Sequence, residues 1–279
     1  MTRIKILVCT HKKSFLKSDD IYTPIHVGAE GSDLELNILK DNTGDNISAK
    51  NYCYCELTAQ YWAWKNLKDV DYIGLCHYRR YFNFYKRGTS FCYYTLIRDE
   101  IDSLNLDVPN ISTLFSKHDI VLAKPMVSKY SLHVGYCLSH FSKDIRIIEQ
   151  IIAEKHPQYT HSVKHILHNC NRLSPYNMYI MKWSEFDKYC NWLFPILKEA
   201  EARIDISNYD DAQKRVYGYL AERLLNLYVY HNKMNVKYYP IYWLEKNEKL
   251  SNISRRVWGF LRRSIAFFFN KSYSIRKTK

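Results

Sequence analysis

The chain has 279 residues, of which 47% are apolar, and it carries a formal net charge of +13. This length can bury a full core as one large domain or two small ones, and the apolar share excludes a disordered chain. Residues 251–279 hold eight Lys or Arg residues and no acid, so only about +5 of the charge belongs to the rest. Because the charge is concentrated in this tail and no nucleic-acid recognition motif is visible, a nucleic-acid-binding protein ranks low.

The eight cysteines are scattered, and the Cys53-x-Cys55 spacing is not that of a metal-binding knuckle. The only early apolar run, Ile4–Cys9, is one strand long, which is too short for a secretory signal. We therefore expect reduced thiols in a cytoplasmic protein.

The first predicted strand, Arg3–Cys9, ends in a polar turn that begins with Thr10 and His11. A polar turn after the first strand is where doubly wound nucleotide-binding folds begin to contact their ligand. The chain has neither a G-x-G-x-x-G fingerprint nor a Walker loop, so neither of these phosphate-binding loops is available. A second short strand and turn are predicted over Tyr22–Ala29, with Gly28 in the turn.

The stretch from Asp41 to Phe84 organises the rest of the sequence. No Pro or Gly interrupts residues 47–70, and their apolar side chains recur every three or four positions, so one helix is predicted there. The apolar run Tyr72–Cys76 predicts a buried strand, which ends in the cluster His77-Tyr78-Arg79-Arg80. Ligands bind beyond the carboxyl ends of such strands, so the cluster suits an anion. The alternative to this anion site is that Arg79 and Arg80 are ordinary surface charges that lead into a loop. We expect both arginines to be solvated at the strand end rather than buried.

Further strands and helices alternate as far as residue 250. Strands are predicted over residues 119–125, 177–182 and 236–244, and helices over residues 111–118, 143–155, 160–169, 185–202 and 209–230, the last being the longest. This alternation predicts one α/β domain with a mostly parallel central sheet over residues 1–250, followed by a separate tail over residues 251–279.

Three histidines, His161, His165 and His168, share one predicted helical face near Cys170. Structural zinc sites usually carry tighter paired ligand motifs, and no second pair lies at a telling distance. A polar helix face explains this pattern better, so we predict no metal site from these residues.

Asp69 and Asp71 precede the Tyr72 strand, whereas sugar-nucleotide enzymes commonly hold a divalent cation with an Asp-x-Asp after such a strand. Arginine side chains can instead bind phosphate oxygens through paired hydrogen bonds, and they carry a permanent charge. The basic cluster therefore predicts metal-independent binding of a diphosphate. The alternative is that Asp210 and Asp211 supply cation ligands.

Glu222 lies within the last predicted helix and is followed by Arg223. Gly218 permits close approach of another segment, and Arg215 adds a second cation on the adjoining turn. A carboxylate near two arginines in a cleft can take a proton from an acceptor hydroxyl; a simple ion pair with Arg223 is equally consistent. Asn177, at the start of a predicted strand, can hydrogen-bond a sugar or cap a turn.

Five segments carry a family resemblance: DNTGDNIS, CELTAxYWAWKN, DYIGLCHYRRYF, YNMYIM and GYLAERL. Together with the opening Cys9-Thr10-His11-Lys12, they resemble a bacterial family of capsular and exopolysaccharide glycosyltransferases catalogued as domain of unknown function 4422. The resemblance covers about residues 3–245. It implies a GT-A-like (Rossmann-like) fold and a transferase that uses a sugar nucleotide, for example uridine diphosphate (UDP) galactose, in the assembly of capsule, exopolysaccharide or O-antigen.

Within that expectation the candidate residues divide into three groups. Donor binding is expected from Thr10, His11, Gly28, His77, Tyr78, Arg79 and Arg80. Acceptor binding is expected from Asn177, Arg215 and Arg223. Glu222 is the expected catalytic base, with Asp45 and Asp211 in reserve. The expected donor is a UDP-hexose, the acceptor is a lipid-linked oligosaccharide, and no metal or other cofactor is expected. A sugar-phosphate transferase that uses the same anion site is the alternative.

Residues 253–269 predict an amphipathic helix. At about 100° per residue, the large apolar side chains spread over one broad side and the four arginines gather on the other. A segment this short and this charged cannot comfortably span a bilayer of about 30 Å, so we expect it to lie on anionic head groups at the inner face of the cell membrane. Packing of this segment on the catalytic domain is the alternative.

Overall fold

A computed structural model of the protein describes residues 2–85, 91–95 and 104–244, and the predicted tail lies outside them. The strands are β1 Ile4–Thr10, β2 Tyr22–His26, β3 Leu39–Lys40, β4 Tyr72–His77, β5 Arg80–Phe82, β6 Cys92–Thr95, β7 Ile120–Ala123, β8 Met126–Val127, β9 Arg172–Leu173, β10 Tyr179–Lys182, β11 Val236–Tyr239 and β12 Ile241–Leu244. The α-helices are α1 Asn51–Tyr54, α2 Leu57–Asn66, α3 Ile111–Phe115, α4 Leu132–Cys137, α5 Ser142–Lys155, α6 Thr160–Val163, α7 Trp183–Arg203, α8 Asp211–Lys214 and α9 Val216–His231. A π-helical turn, Lys164–His168, continues α6.

Within the described residues, the main sheet follows the order β11-β7-β10-β4-β1-β2-β3. β1 runs parallel to β2 and β4, whereas β10 runs antiparallel to β4 and β7. The carboxyl ends of β1 and β4, at Cys9 and His77, therefore lie at the same sheet edge as the amino end of β10, at Tyr179. This architecture confirms the predicted α/β fold with a mostly parallel central sheet, and it gathers three strand ends at one edge.

Separate apolar clusters cover the two faces of the sheet because successive side chains of a strand point to opposite faces. Leu7 and Leu75 join the cluster that contains residues of α2, α5, α7 and α9, whereas Ile6 joins the other cluster. Full burial of such a side chain contributes about 1.5–3 kcal/mol. In the first cluster, Tyr54 of α1 packs on Tyr217 of α9 with ring centroids 4.8 Å apart, so this cluster also holds α1 against α9.

The predicted helix over residues 47–70 is wrong, because it is interrupted at Cys55, whose φ is +54°. The break takes the Cys55 carbonyl out of the helical hydrogen-bond pattern. This oxygen instead accepts hydrogen bonds from Asn51 Nδ2 at 2.7 Å and from Thr58 Oγ1 at 3.1 Å. Gly218 of α9 packs directly on this break, since a Cβ at position 218 would lie 3.2 Å from Cys55 Sγ. The break is thus stabilised by local hydrogen bonds and by packing against Gly218, which lies 163 positions further along the chain. The periodicity of residues 47–70 carries no information about a contact with so distant a residue.

The predicted helix over residues 209–230 is also divided, because Arg215 separates α8 from α9. The longest helix of the described residues is α7, which spans 21 residues and contains Pro195. The last predicted strand divides at Pro240: β11 pairs with β7, whereas β12 pairs with β5 and β6. Among the helices that the structure describes, none is long and apolar enough to cross a membrane.

Candidate active site

A cavity of about 700 Å³ opens at the sheet edge where β1 and β4 end. It brings together most of the predicted site residues: His11, His77, Tyr78, Arg79, Arg80, Asp211, Arg215, Glu222 and Arg223. Five Lys or Arg side chains line it against three carboxylates, before any histidine is counted. This surplus of positive charge favours an anionic ligand.

The arginine pair lies on a hairpin in which β4 turns through Tyr78 and Arg79 into β5. The Arg80 guanidinium is held between two rings, 4.1 Å from the centroid of Tyr176 and 4.2 Å from that of Trp243. Both arginines are half-buried, and their buried Nε atoms have no hydrogen-bond partner within the described part of the chain. The expectation of solvated arginines is therefore wrong for Arg80, whose guanidinium is covered by a ring on each side. A planar, permanently charged group held in one orientation at the cavity wall is suited to bind phosphate.

His77 lies in the cavity wall as a neutral side chain. Its Nε2 donates a hydrogen bond to the Tyr176 carbonyl at 2.7 Å, since a carbonyl oxygen can only accept. Burial, reinforced by the nearby Arg80 and Arg79, lowers the pKa of His77 to about 3. His77 therefore supplies no positive charge to a diphosphate at neutral pH, and instead it fixes the backbone that carries the Tyr176 ring.

Two half-buried carboxylates, Glu56 and Glu222, share the cavity wall. Glu222 Oε1 accepts the Tyr176 N–H at 2.8 Å, and its Oε2 pairs with Arg223 at 3.0 Å. Glu56 Oε1 accepts a hydrogen bond from Asn177 Nδ2 at 2.6 Å. Burial raises the pKa of both carboxyl groups above the ordinary value, and the positive neighbours only partly oppose it. A carboxylate with a raised pKa is better matched to proton transfer near neutral pH.

Glu56 is a functional candidate that the sequence analysis missed. In the helix predicted over residues 47–70, Glu56 is one position of a regular periodic pattern, and nothing distinguishes it. In the structure, the break at Cys55 places Glu56 at the N-terminus of α2 and in the cavity wall. The available signal was a single acid within a long apolar stretch, inside the segment CELTA that carries the family resemblance.

A strained turn before β10 connects these groups. Tyr176 and Asn177 have φ angles of +71° and +50°, a region that residues other than glycine rarely adopt. The turn contacts both carboxylates through the Tyr176 N–H and the Asn177 amide, accepts the His77 hydrogen bond, and stacks the Tyr176 ring on Arg80. Such strain costs about 1–3 kcal/mol per residue and persists where the surroundings over-determine it, commonly at functional sites.

Four predicted site residues do not line the cavity. The Thr10 hydroxyl donates to the Lys12 carbonyl at 2.7 Å, and the Gly28 N–H donates to Asp41 at 2.9 Å, so both serve the turns that contain them. Asp45 is exposed and accepts a hydrogen bond from the Tyr61 hydroxyl at 3.2 Å. The contacts described for these three residues are structural, and their predicted roles in donor binding or as a base stay predictions.

Asn177 also lies behind the wall, because its amide nitrogen is used on Glu56 and on the Gly218 carbonyl, the latter at 3.2 Å. The structure therefore shows Asn177 positioning Glu56, and its contact with a sugar stays a prediction. Gly218 does permit the close approach that the sequence predicts, and Arg215 Nε lies 3.3 Å from Cys55 Sγ across that contact.

The alternative cation ligands do not converge. Asp210 caps α8, since its Oδ1 accepts the Gln213 N–H at 2.7 Å. Asp211 is exposed and lies 3.8 Å from the Lys214 ammonium. Within residues 2–85, 91–95 and 104–244, no group of three convergent ligand atoms includes either aspartate.

The fold and the site define an α/β protein with a cationic cavity beyond the ends of parallel strands, with carboxylates in its wall. The family described as domain of unknown function (DUF4422) matches residues 5–233, so the chain belongs to this family, as its motifs predict. It is also similar to a solved structure described as the apo form of WbbM, a bifunctional glycosyltransferase, with 32% identity and a TM-score of 0.80. The match covers 88% of this chain and 46% of that one, so this chain spans less than half the length of WbbM. No curated protein matches the chain.

Proposed function

We propose that this protein is a glycosyltransferase that moves a hexose from a nucleotide diphosphate sugar to a lipid-linked oligosaccharide in surface polysaccharide assembly. The observation that carries the proposal is the ring-stacked Arg80 beside Arg79, at the edge of the sheet where such folds bind their ligands. The likeness to the WbbM structure supports a glycosyl transfer reaction. The choice of a UDP-hexose, galactose in either ring form, rests on the family resemblance alone.

In this reaction the bond between the anomeric carbon and the diphosphate oxygen breaks, and its electron pair leaves with the nucleoside diphosphate. Arg79 and Arg80 bind the diphosphate and stabilise the negative charge that develops on it. The acceptor oxygen forms the new glycosidic bond. If the anomeric centre inverts, Glu222 takes the acceptor proton; its raised pKa favours this role, and Arg223 holds the carboxylate in place.

The nucleotide product decides between this proposal and the sugar-phosphate transferase alternative. The purified protein would be incubated with UDP-galactose and a lipid-linked acceptor, and the released nucleotide would be identified by anion-exchange chromatography. We expect UDP to accumulate in step with the glycosylated lipid. Release of uridine monophosphate with transfer of a sugar phosphate would replace the proposal with the alternative, and absence of any transfer across the common UDP- and other nucleotide-sugar donors would reject both.

Catalysis is expected to be independent of divalent metal, because arginines rather than an Asp-x-Asp pair stand at the end of β4. Transfer activity at 25 °C should therefore be the same with and without excess EDTA. Loss of activity that manganese or magnesium restores would contradict this prediction.

Membrane docking is a further part of the proposal, and it rests on the sequence of residues 251–279 alone. We expect the full chain to co-sediment with anionic vesicles at low salt and a chain truncated after residue 250 to stay in the supernatant. Binding should weaken as salt rises, since screening reduces the attraction of the eight basic residues. The truncated chain should retain donor binding. Equal sedimentation of both chains would contradict a membrane role for the tail.

A further inference from the structure

A second cluster of reactive side chains lies outside the cavity, where α4, α5 and the π turn meet. His133 Nδ1 lies 2.8 Å from Glu149 Oε1, and His168 Nε2 lies 3.0 Å from the same oxygen. These three potential ligand atoms all fall within 4.8 Å of one another, and they form the one such group in the described ranges. None of the three residues lines the cavity.

The π turn decides which histidine reaches this cluster. α6 changes to π-helical geometry over Lys164–His168, which rotates the following side chains relative to a regular helix. His165 stacks on Tyr230 of α9 with ring centroids 4.5 Å apart, and His161 is exposed. The three histidines considered in the sequence therefore do not converge on one point. His168 alone turns toward α4 and α5, and single π turns are frequent at functional sites.

The ligand set matches the chemistry of zinc. Two imidazole nitrogens and one carboxylate oxygen are donors that Zn²⁺ prefers, and three protein ligands leave one tetrahedral position for water. Ligands at 2.0–2.1 Å from a tetrahedral ion lie about 3.3 Å apart. The two separations from Glu149 Oε1 need to open by a few tenths of an ångström, and the two histidine nitrogens, which lie within 4.8 Å of each other, need to close by up to about 1.5 Å. The side chains of His133 and Glu149 are 16% and 22% exposed and that of His168 is 42% exposed, which leaves a path for an ion from solvent.

We propose that His133, Glu149 and His168 form a Zn²⁺ site that clamps α4 to α5 and to the π turn. α4 connects the proposed site to the cavity wall, because the Tyr136 ring of α4 lies 5.2 Å from the guanidinium of Arg223, which lines the cavity. None of the three ligands lines the cavity, so the ion takes no part in glycosyl transfer. EDTA should therefore lower thermal stability and leave the 25 °C activity in place.

The test uses tag-free full-length protein stripped of metal, titrated with ZnCl₂ against a chromophoric chelator. We expect one equivalent to bind tightly to the native chain. His168→Gln and His133→Gln should each weaken that equivalent at least tenfold, and the exposed His161→Gln on the same helical segment should not. The zinc-dependent rise in Tm, which follows from binding to the native state alone, should disappear in the same two variants.

Circular dichroism in the absence of metal shows whether each variant is folded, and the half-exposed His168 is the substitution with the smallest effect on packing. Cobalt(II) provides a second readout, because a tetrahedral N₂O₂ site produces visible absorption that His168→Gln should remove. Equal zinc affinity and equal Tm rise in wild type and both ligand variants would overturn the proposal, as would wild-type protein that binds no zinc. Neither outcome bears on the glycosyltransferase proposal, which is tested by the nucleotide product.

Discussion

Arg80→Ala is expected to lower kcat/KM for the nucleotide-sugar donor by about 10²- to 10³-fold, the usual loss when one preorganised charge-stabilising donor is removed. The physical reason is that two rings hold the Arg80 guanidinium in one orientation before the ligand arrives. Arg80→Lys should recover only part of the loss, because an ammonium keeps the charge but neither stacks as a plane nor binds two phosphate oxygens in parallel. Steady-state kinetics with varied donor concentration measures the effect.

Because Arg80 is packed rather than solvated, its removal leaves a gap between Tyr176 and Trp243, and Tm must be measured beside activity. Arg79→Ala removes the neighbouring cation without emptying that slot, so it separates loss of charge from loss of packing. Arg203→Ala is the matched control, since this arginine does not line the cavity and pairs with Glu154 at 2.7 Å and Glu199 at 2.6 Å. A folded double variant at positions 79 and 80 that turns over donor normally would reject the diphosphate site.

Glu222→Gln is expected to reduce kcat by about 10²- to 10⁴-fold, the range for loss of a general base. The substituted amide keeps the shape and can still accept the Tyr176 N–H, but it cannot take a proton. The pH profile adds an independent test. The base must be anionic to act, so activity should fall as the pH drops through its pKa; because burial raises that pKa, the acid limb should lie above the ordinary glutamate value and should be missing in the variant.

Comparison variants assign the base among the acids of the cavity. Glu56→Gln tests the second half-buried carboxylate of the cavity wall, and Asp211→Asn tests the exposed reserve candidate on α8. Glu185→Gln is the control, because it removes a surface carboxylate that pairs with Lys188 at 2.7 Å on α7. If Glu222→Gln retains activity while Glu56→Gln loses both activity and the acid limb, the base is Glu56 and Glu222 positions the Tyr176 turn.

The pattern of neighbouring residues in the sequence was sufficient to predict the strand β4 and the basic cluster that follows it. An apolar run that ends at polar residues is local information, and a buried strand followed by a turn is its direct physical consequence. The same is true of α5, predicted over residues 143–155 and observed over Ser142–Lys155, whose apolar face repeats at helical spacing. Family membership followed from motifs for the same reason, since each motif is a contiguous run of residues.

Tertiary structure decided what those local elements do. Cys55 adopts a positive φ within a periodic helical sequence because Asn51, Thr58 and Gly218 accommodate it, and only that break makes Glu56 part of the cavity wall. The bond from Asn177 to Glu56 joins residues 121 positions apart.

The stacking of Arg80 and the meeting of His133, Glu149 and His168 likewise depend on contacts between distant segments. Propensity and periodicity describe a residue's neighbours within a window of about 11–18 residues. The packing of separate elements determines which of these side chains face one another, and with it the charge, the burial and the pKa values of the site.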